Sequence, residues 1–263
     1  MAIEIYQADA FTDKPFGGNP AGVCLLPGPA DEEWMQKVAR DMNVAETAFL
    51  YAEKGGYSLR WFTPTVEVEL CGHATLASAH VLWETGRVPR TQGIEFYTLS
   101  GTLTAEMNGG MIELDFPSEP ESKADAPPAL LKSLGVKPLY VGKNRFDYIV
   151  EAGSEKEVRA LRPDFPLLGT IPVRGVMVTA ASDDPKYDFV ARFFGPASGI
   201  NEDPATGSAY CCLGPYWEKK TGKSEFLACQ ASERGGVIGV RVLGKRVKLL
   251  GNAVTVFKGQ MCV

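Results

Sequence analysis

The sequence predicts an α+β protein of two pseudo-symmetric domains, each a mixed sheet curled around one central helix. Three observations carry that expectation. Arg60-Trp61-Phe62-Thr63-Pro64, followed by Cys71-Gly72-His73-Ala74, is echoed by Arg192-Phe193-Phe194-Gly195-Pro196, followed by Thr206-Gly207-Ser208-Ala209. Each half also holds many short apolar runs of strand length around one long helical run, the pattern of an α+β fold. Between the halves, Pro117 to Pro128 is polar and proline-rich, as a linker would be. The expected organisation is an N-terminal half over 1–117, a linker over 118–128 and a C-terminal half over 129–263. The terminal strands are free to cross between halves.

The elements follow in order. Ile3 to Tyr6 reads as a strand, Phe16-Gly17-Gly18-Asn19-Pro20 as a loop, and Ala21 to Leu26 as a second strand. Pro29 to Asn43 reads as a helix capped by Asp31, with Trp34, Val38 and Met42 on one face. Thr47 to Tyr51 and Tyr57 to Phe62 read as strands, the second alternating apolar Tyr57, Leu59 and Trp61 with polar Ser58 and Arg60. The first long helix is expected from Gly72 to Thr85, stopped by a left-handed Gly86. Ile94 to Thr98, Thr102 to Met107 and Met111 to Phe116 are strands, the last two joined by an Asn108-Gly109 hairpin turn.

The second half repeats this pattern. Leu139 to Val141 and Phe146 to Glu151 read as strands, Glu155 to Leu161 as a short helix, and Val173 to Thr179 and Tyr187 to Phe194 as strands. Gly207 to Thr221 is the second long helix. Pro215 lies inside it, where a proline is expected to kink or break the run. Phe226 to Ala228, Val237 to Val242, Val247 to Leu250 and Ala253 to Phe257 complete the strands.

Composition narrows the function. With 263 residues, 45% hydrophobic and 22% charged, the chain has ample core material. A net charge of -5 without a basic stripe argues against nucleic acid as a partner. No apolar run reaches membrane-span length, and the first residues lack the pattern of a signal peptide. Six cysteines with no C-x-x-C pair argue against zinc and for reduced thiols in a cytoplasmic setting. No dinucleotide fingerprint, P-loop or nucleophile elbow is present.

A few residues can carry chemistry. Glu46 stands where a helix gives way to an apolar strand. It either faces solvent or, walled off by apolar neighbours, serves as a proton carrier with a raised pKa. His73, at a helix start beside Gly72, either caps and packs or meets a substrate. A helix N-terminus is expected to lower its pKa and keep the ring neutral. His80, two turns further on, reads as packing. Asp203 is a loop acid ahead of the second long helix. Thr206 and Ser208 either cap that helix or, with Gly207, bind a carboxylate at its start. Cys71 is the one cysteine with a chemical reading, as an acid/base thiol at a helix end. Its repeat partner is Thr206, so a symmetric two-thiol site is absent. Arg234-Gly235-Gly236 is a turn that either brings a guanidinium to an anion or leaves it on the surface. Two helix starts at matching places suggest one anion-binding site built where the halves meet.

These motifs resemble the PhzF-like family, the phenazine-biosynthesis isomerase and its relatives, which share the diaminopimelate epimerase fold. The resemblance rests on Phe16-Gly17-Gly18-Asn19-Pro20-Ala21, Asn43-Val44-Ala45-Glu46-Thr47, Phe62-Thr63-Pro64 and Leu70-Cys71-Gly72-His73-Ala74-Thr75. In the second half it rests on Glu202-Asp203-Pro204-Ala205-Thr206-Gly207-Ser208-Ala209, Pro215-Tyr216-Trp217 and Arg234-Gly235-Gly236. It implies a β-barrel-like sheet around each central helix, a cofactor-free and metal-free site in a cleft, and a homodimer acting on a small anionic metabolite. Glu46 matches the acid/base that moves a proton between carbons. His73, Asp203 and Ser208 match residues that position the substrate or assist the transfer. Gly72 and the helix starts match the carboxylate-binding wall, with Asn19, Cys71, Thr206, Gly207 and Arg234 as further substrate-binding positions. Where many relatives carry histidine after Gly-Ser-Ala, this chain has Tyr210, which points to a different polarity there. An epimerase using Glu46 and Cys71, and a non-catalytic ligand-binding protein, are the alternative readings.

Overall fold

The computed structural model describes residues 3–262. The chain divides into two compact units. One runs up to Asp115 and regains the chain from Leu250 onward; the other is Phe116–Leu249.

The first unit contains β1 (Ile3–Ala10), β2 (Asn19–Leu25), α1 (Glu32–Met42), β3 (Glu46–Glu53), β4 (Gly56–Phe62), β5 (Glu67–Val68), α2 (Gly72–Glu84), β6 (Ile94–Thr98), β7 (Gly101–Asn108) and β8 (Met111–Pro117). The second contains β9 (Ser122–Lys123), α3 (Pro128–Leu134), β10 (Tyr140–Lys143), β11 (Asp147–Glu151), α4 (Glu155–Ala160), α5 (Phe165–Leu168), β12 (Gly175–Ala181), β13 (Phe189–Gly195), β14 (Ile200–Asp203), α6 (Gly207–Thr221), β15 (Glu225–Gln230), β16 (Gly236–Leu243) and β17 (Arg246–Gly251). β18 (Ala253–Met261) then returns to the first unit and pairs antiparallel with β1. Among the described residues no helix is long and apolar enough to cross a membrane.

The repeat is present in the strand ladders themselves. In the first unit β2 runs parallel to β3, β3 antiparallel to β4, β4 antiparallel to β5, and β4 parallel to β6. The second unit has the same series: β11 with β12 parallel, β12 with β13 and β13 with β14 antiparallel, β13 with β15 parallel. The arginines of the duplicated motif explain part of its recurrence. Arg60 makes a two-pronged ion pair with Glu67 at 2.6 Å and lies over the ring of Phe62. Arg192 does the same with Glu202 at 2.7 Å and lies over Phe194. Each guanidinium thus ties a strand to the short strand that leads into the following long helix, using the planar fork that suits a carboxylate.

The two long helices are buried on nearly every side. His73 to Ala79 and Val81 to Trp83 of α2 are buried, as is the run from Ala209 to Trp217 of α6. A helix apolar all round belongs in a core rather than on a surface. α2 packs on β1, β2, β3 and β18, and α6 on β16. α2 ends in a Schellman arrangement at the expected glycine: Gly86 has φ +69 and donates its N–H to Trp83 O, while the Arg87 N–H reaches Leu82 O.

Several local expectations are corrected. α6 has the expected extent, Gly207–Thr221, and of the two outcomes expected at Pro215 a break is not seen. The proline deprives the Cys211 carbonyl of its partner four residues on, and the Glu119 N–H fills the vacancy at 2.9 Å. The β7–β8 hairpin turns one residue later than expected. Asn108 pairs with Met111, and Gly109 and Gly110, both at positive φ, form the loop. α3 and α5 are absent from the sequence reading: α3 opens at the end of the proline-rich stretch expected as linker, and α5 is a single turn.

Candidate active site

In the first unit the chain leaves α1 through Asn43, whose left-handed conformation (φ +49) turns it into the start of β3. Glu46 is the first residue of that strand and stands opposite Ala21 of the parallel β2. α2 begins nearby in space with Cys71 as its N-cap, which makes no side-chain capping bond and leaves its sulfur for other contacts. The sulfur lies 3.5 Å from His73 Nδ1. His73 Nε2 lies 3.2 Å from Glu46 Oε2, close enough for charge pairing although not aligned as a hydrogen bond. The side chains of His73 and Glu46 are only 6% and 15% exposed, so Glu46 is not a surface acid.

Burial pushes the Cys71 thiol up and the Glu46 carboxylate adds to the effect, while the neighbouring His73 works against it. For His73, burial opposes the charged form. The Cys71 sulfur and the Glu46 carboxylate outweigh it and raise the imidazole well above its ordinary value. The expectation of a pKa lowered at the helix N-terminus is therefore reversed, because the neighbouring sulfur and carboxylate together outweigh burial. His80 is a packing residue as expected, with Nε2 3.1 Å from Thr255 Oγ1.

Carboxylate, thiol and imidazole bring donor atoms within 4.8 Å of one another, a set chemically able to ligate a metal ion. The imidazole, however, meets Cys71 through Nδ1 and Glu46 through Nε2. One ion can take only one of these nitrogens, so as placed the three groups form a chain through the ring rather than a chelate.

In the second unit, Thr206 is the N-cap of α6 but makes no capping bond. Its hydroxyl donates to Asp203 Oδ2 at 2.5 Å, and its N–H donates to Gln230 Oε1 at 2.8 Å. The Gln230 amide returns to Asp203 O at 2.7 Å, which fixes the loop ahead of the helix. Ser208 does not cap either: its oxygen accepts from Arg174 Nη1 at 3.0 Å. Arg174 also forks onto the fully buried Asp147, with Nε 2.9 Å from Oδ1 and Nη2 bonded to Oδ2. Burial works against its charge, yet Asp147 outweighs burial and raises the guanidinium pKa. Arg234 lies in a turn closed by Gly235 N–H to Ser232 O, and Ser232 Oγ donates to Pro204 O beside Asp203. Asn19 opens β2 and is fully buried. Tyr210 is also fully buried and stacks on Phe189, so it belongs to the core and sets no polarity at an exposed site.

Sequence reading missed Arg174, Asp147 and Gln230. The ladder registers show what could have found the first. Thr47 pairs with Phe62 as Val176 pairs with Phe194, which makes Gly175 the counterpart of Glu46. Trp61 pairs with Val68 as Phe193 pairs with Asp203, which makes Val68 the counterpart of Asp203. Aligning the repeat beyond its obvious motif leads to Gly175 and so to the arginine before it.

A family model described as phenazine biosynthesis-like protein (PhzC-PhzF) matches residues 8–259. The chain is 56% identical over 262 residues to an uncharacterized isomerase of Halalkalibacterium halodurans, covering 99% of both. It is similar to the crystal structure of a PhzF-family phenazine biosynthesis protein from Enterococcus faecalis, with TM-score 0.95, 38% identity and all of both chains covered. A hydroxyproline epimerase from Agrobacterium vitis shares the fold, with TM-score 0.64 at 12% identity over 98% of this chain and 92% of that one.

Proposed function

Because the chain belongs to the phenazine biosynthesis-like (PhzC-PhzF) family, we propose that it is an isomerase that moves a proton between carbons of a small carboxylate-bearing metabolite, without a cofactor or metal, with Glu46 as the proton carrier. The observation that carries this reading is the Glu46 side chain, largely enclosed and 3.2 Å from a buried imidazole of raised pKa. In its carboxylate form Glu46 can accept a proton. Glu46 then takes a proton from one carbon as the C–H electron pair moves into the neighbouring unsaturated system, and returns it to a second carbon as the bond order shifts. Atoms and electrons balance within the substrate, and Glu46 is regenerated. Asp203, Thr206, Gly207 and Ser208 are proposed as substrate-binding positions of the second unit. A homodimer in a cytoplasmic setting, free of nucleic-acid and membrane partners, belongs to the same proposal.

General acid–base catalysis contributes on the order of 10²–10⁴-fold. Glu46→Gln is therefore expected to lose at least about 10²-fold in turnover while keeping ligand affinity. The measurement is a panel of small unsaturated carboxylates in D₂O, followed by proton NMR and mass spectrometry for the isomer and for deuterium at the receiving carbon. Wild-type rates in Glu46→Gln would refute the role. Turnover undiminished in Cys71→Ser is expected as well; a loss comparable to that of Glu46→Gln would favour the epimerase reading, in which the thiol is a second acid/base.

A further inference from the structure

The two units carry different chemistry at matching positions. The first has Glu46 where the second has Gly175, and the second has Asp203 where the first has Val68. Gly175 leaves no room for an acid: a Cβ there would lie 2.2 Å from the Phe193 ring. Directly before it stands Arg174, whose guanidinium carbon lies 5.1 Å from the ring centre of Phe146 and 5.7 Å from that of Phe193. Its backbone N–H is bonded to Phe146 O at 2.9 Å. Two aromatic faces, a main-chain bond and a fork onto buried Asp147 hold this cation in one place.

Three of the guanidinium N–H donors go to Asp147 and Ser208, and a guanidinium has five. The side chain nevertheless stays 38% exposed, so it is reachable by a ligand. The bond to Ser208 has a directional consequence. Arginine has no acceptor, so the Ser208 oxygen must receive that bond, and the hydroxyl hydrogen is forced to point elsewhere. The Ser208 hydroxyl hydrogen is thereby left for another acceptor in the first turn of α6, where a helix's opening N–H groups have no carbonyl four residues back.

We propose that Arg174 is a positioning residue that turns the Ser208 hydroxyl hydrogen away from itself and toward a bound acceptor, and with its own charge makes the start of α6 select a carboxylate over a neutral group of the same shape. The inference rests on the reading of Ser208 as a substrate contact. Asp147 serves it by pinning the guanidinium.

The test uses the full chain with benzoate as the probe and benzamide as its uncharged counterpart, by isothermal titration calorimetry. Arg174→Gln alone leaves Asp147 buried and unpaired and is expected to melt early. The double variant Arg174→Gln/Asp147→Asn removes both charges and is expected to recover a cooperative melt while binding benzoate roughly 10- to 100-fold more weakly than wild type. Arg174→Lys keeps the charge but loses the fork, and provides a second, folded variant with a partial loss. Ser208→Ala is expected to weaken benzoate in the wild-type background and to add little in the double variant, because the two act through one contact. The inference is overturned if wild type does not bind benzoate, if benzamide binds as tightly, if both Arg174 variants keep wild-type affinity, or if the Ser208 and Arg174 effects simply add. The Glu46→Gln turnover test separates the two claims, because its proton-transfer result stands whatever Arg174 does.

Discussion

His73 shows how one side chain can carry opposite expectations. A helix start disfavours its charge and burial does the same, yet the neighbouring carboxylate and sulfur hold it well above the ordinary imidazole range. A histidine whose pKa is raised on folding stabilises the native state fully below its unfolded value, about 6.5, and loses that contribution as pH rises through the folded value. The expected outcome is a pH-dependent difference between wild type and His73→Gln. Wild type should exceed the variant in melting temperature by most below the unfolded value, and the gap should narrow as pH is raised through the folded one. A gap that widens with pH would mean that His73 is buried neutral. Nothing in the local sequence reveals this balance, because Glu46 and His73 are far apart in the chain and only the start of β3 and the start of α2 bring them to 3.2 Å.

At the scale of elements, the duplicated R-x-F-x-P motif proves to be a structural device as well as a marker of the repeat. Arg192 is 8% exposed and, besides Glu202, donates to the carbonyls of Val158 and Leu161. Arg60 is more open and shares its charge between Glu67 and the exposed Glu32. Removing one partner of a buried pair costs about 3–5 kcal/mol, whereas exposed pairs contribute about 1 kcal/mol or less. Arg192→Ala is therefore expected to lower stability severalfold more than Arg60→Ala, read as the difference in urea midpoint at constant slope. Equal losses would contradict this. The limits of α2 and α6 were legible in sequence, since Gly86 and Gly222 stop them and each start is a run of small residues. How α6 tolerates Pro215 was not, because the bond that compensates the proline comes from Glu119, far away in sequence.

At the scale of the molecule, the first unit depends on both ends of the chain. β18 forms an antiparallel ladder along the whole of β1, from Ile3 opposite Met261 to Ala10 opposite Ala253. Deleting residues 253–261 would strip β1 of a full edge of hydrogen bonds and uncover α2, against which β18 also packs. Such a truncation is expected to lose cooperative melting by circular dichroism, and a wild-type melt would count against this account of the unit. The duplication, the α+β class, the two central helices and the family were determined by sequence alone, because hydrophobic period, glycine stops and a repeated motif are local signals. Tertiary structure decided the charge state of His73, the donor role of Ser208, the pairing of Arg174 with Asp147, and the return of β18 to β1. Each of these depends on groups distant in the chain meeting where water is excluded, and there the strength of a charge or hydrogen bond is set by neighbours that no local pattern encodes.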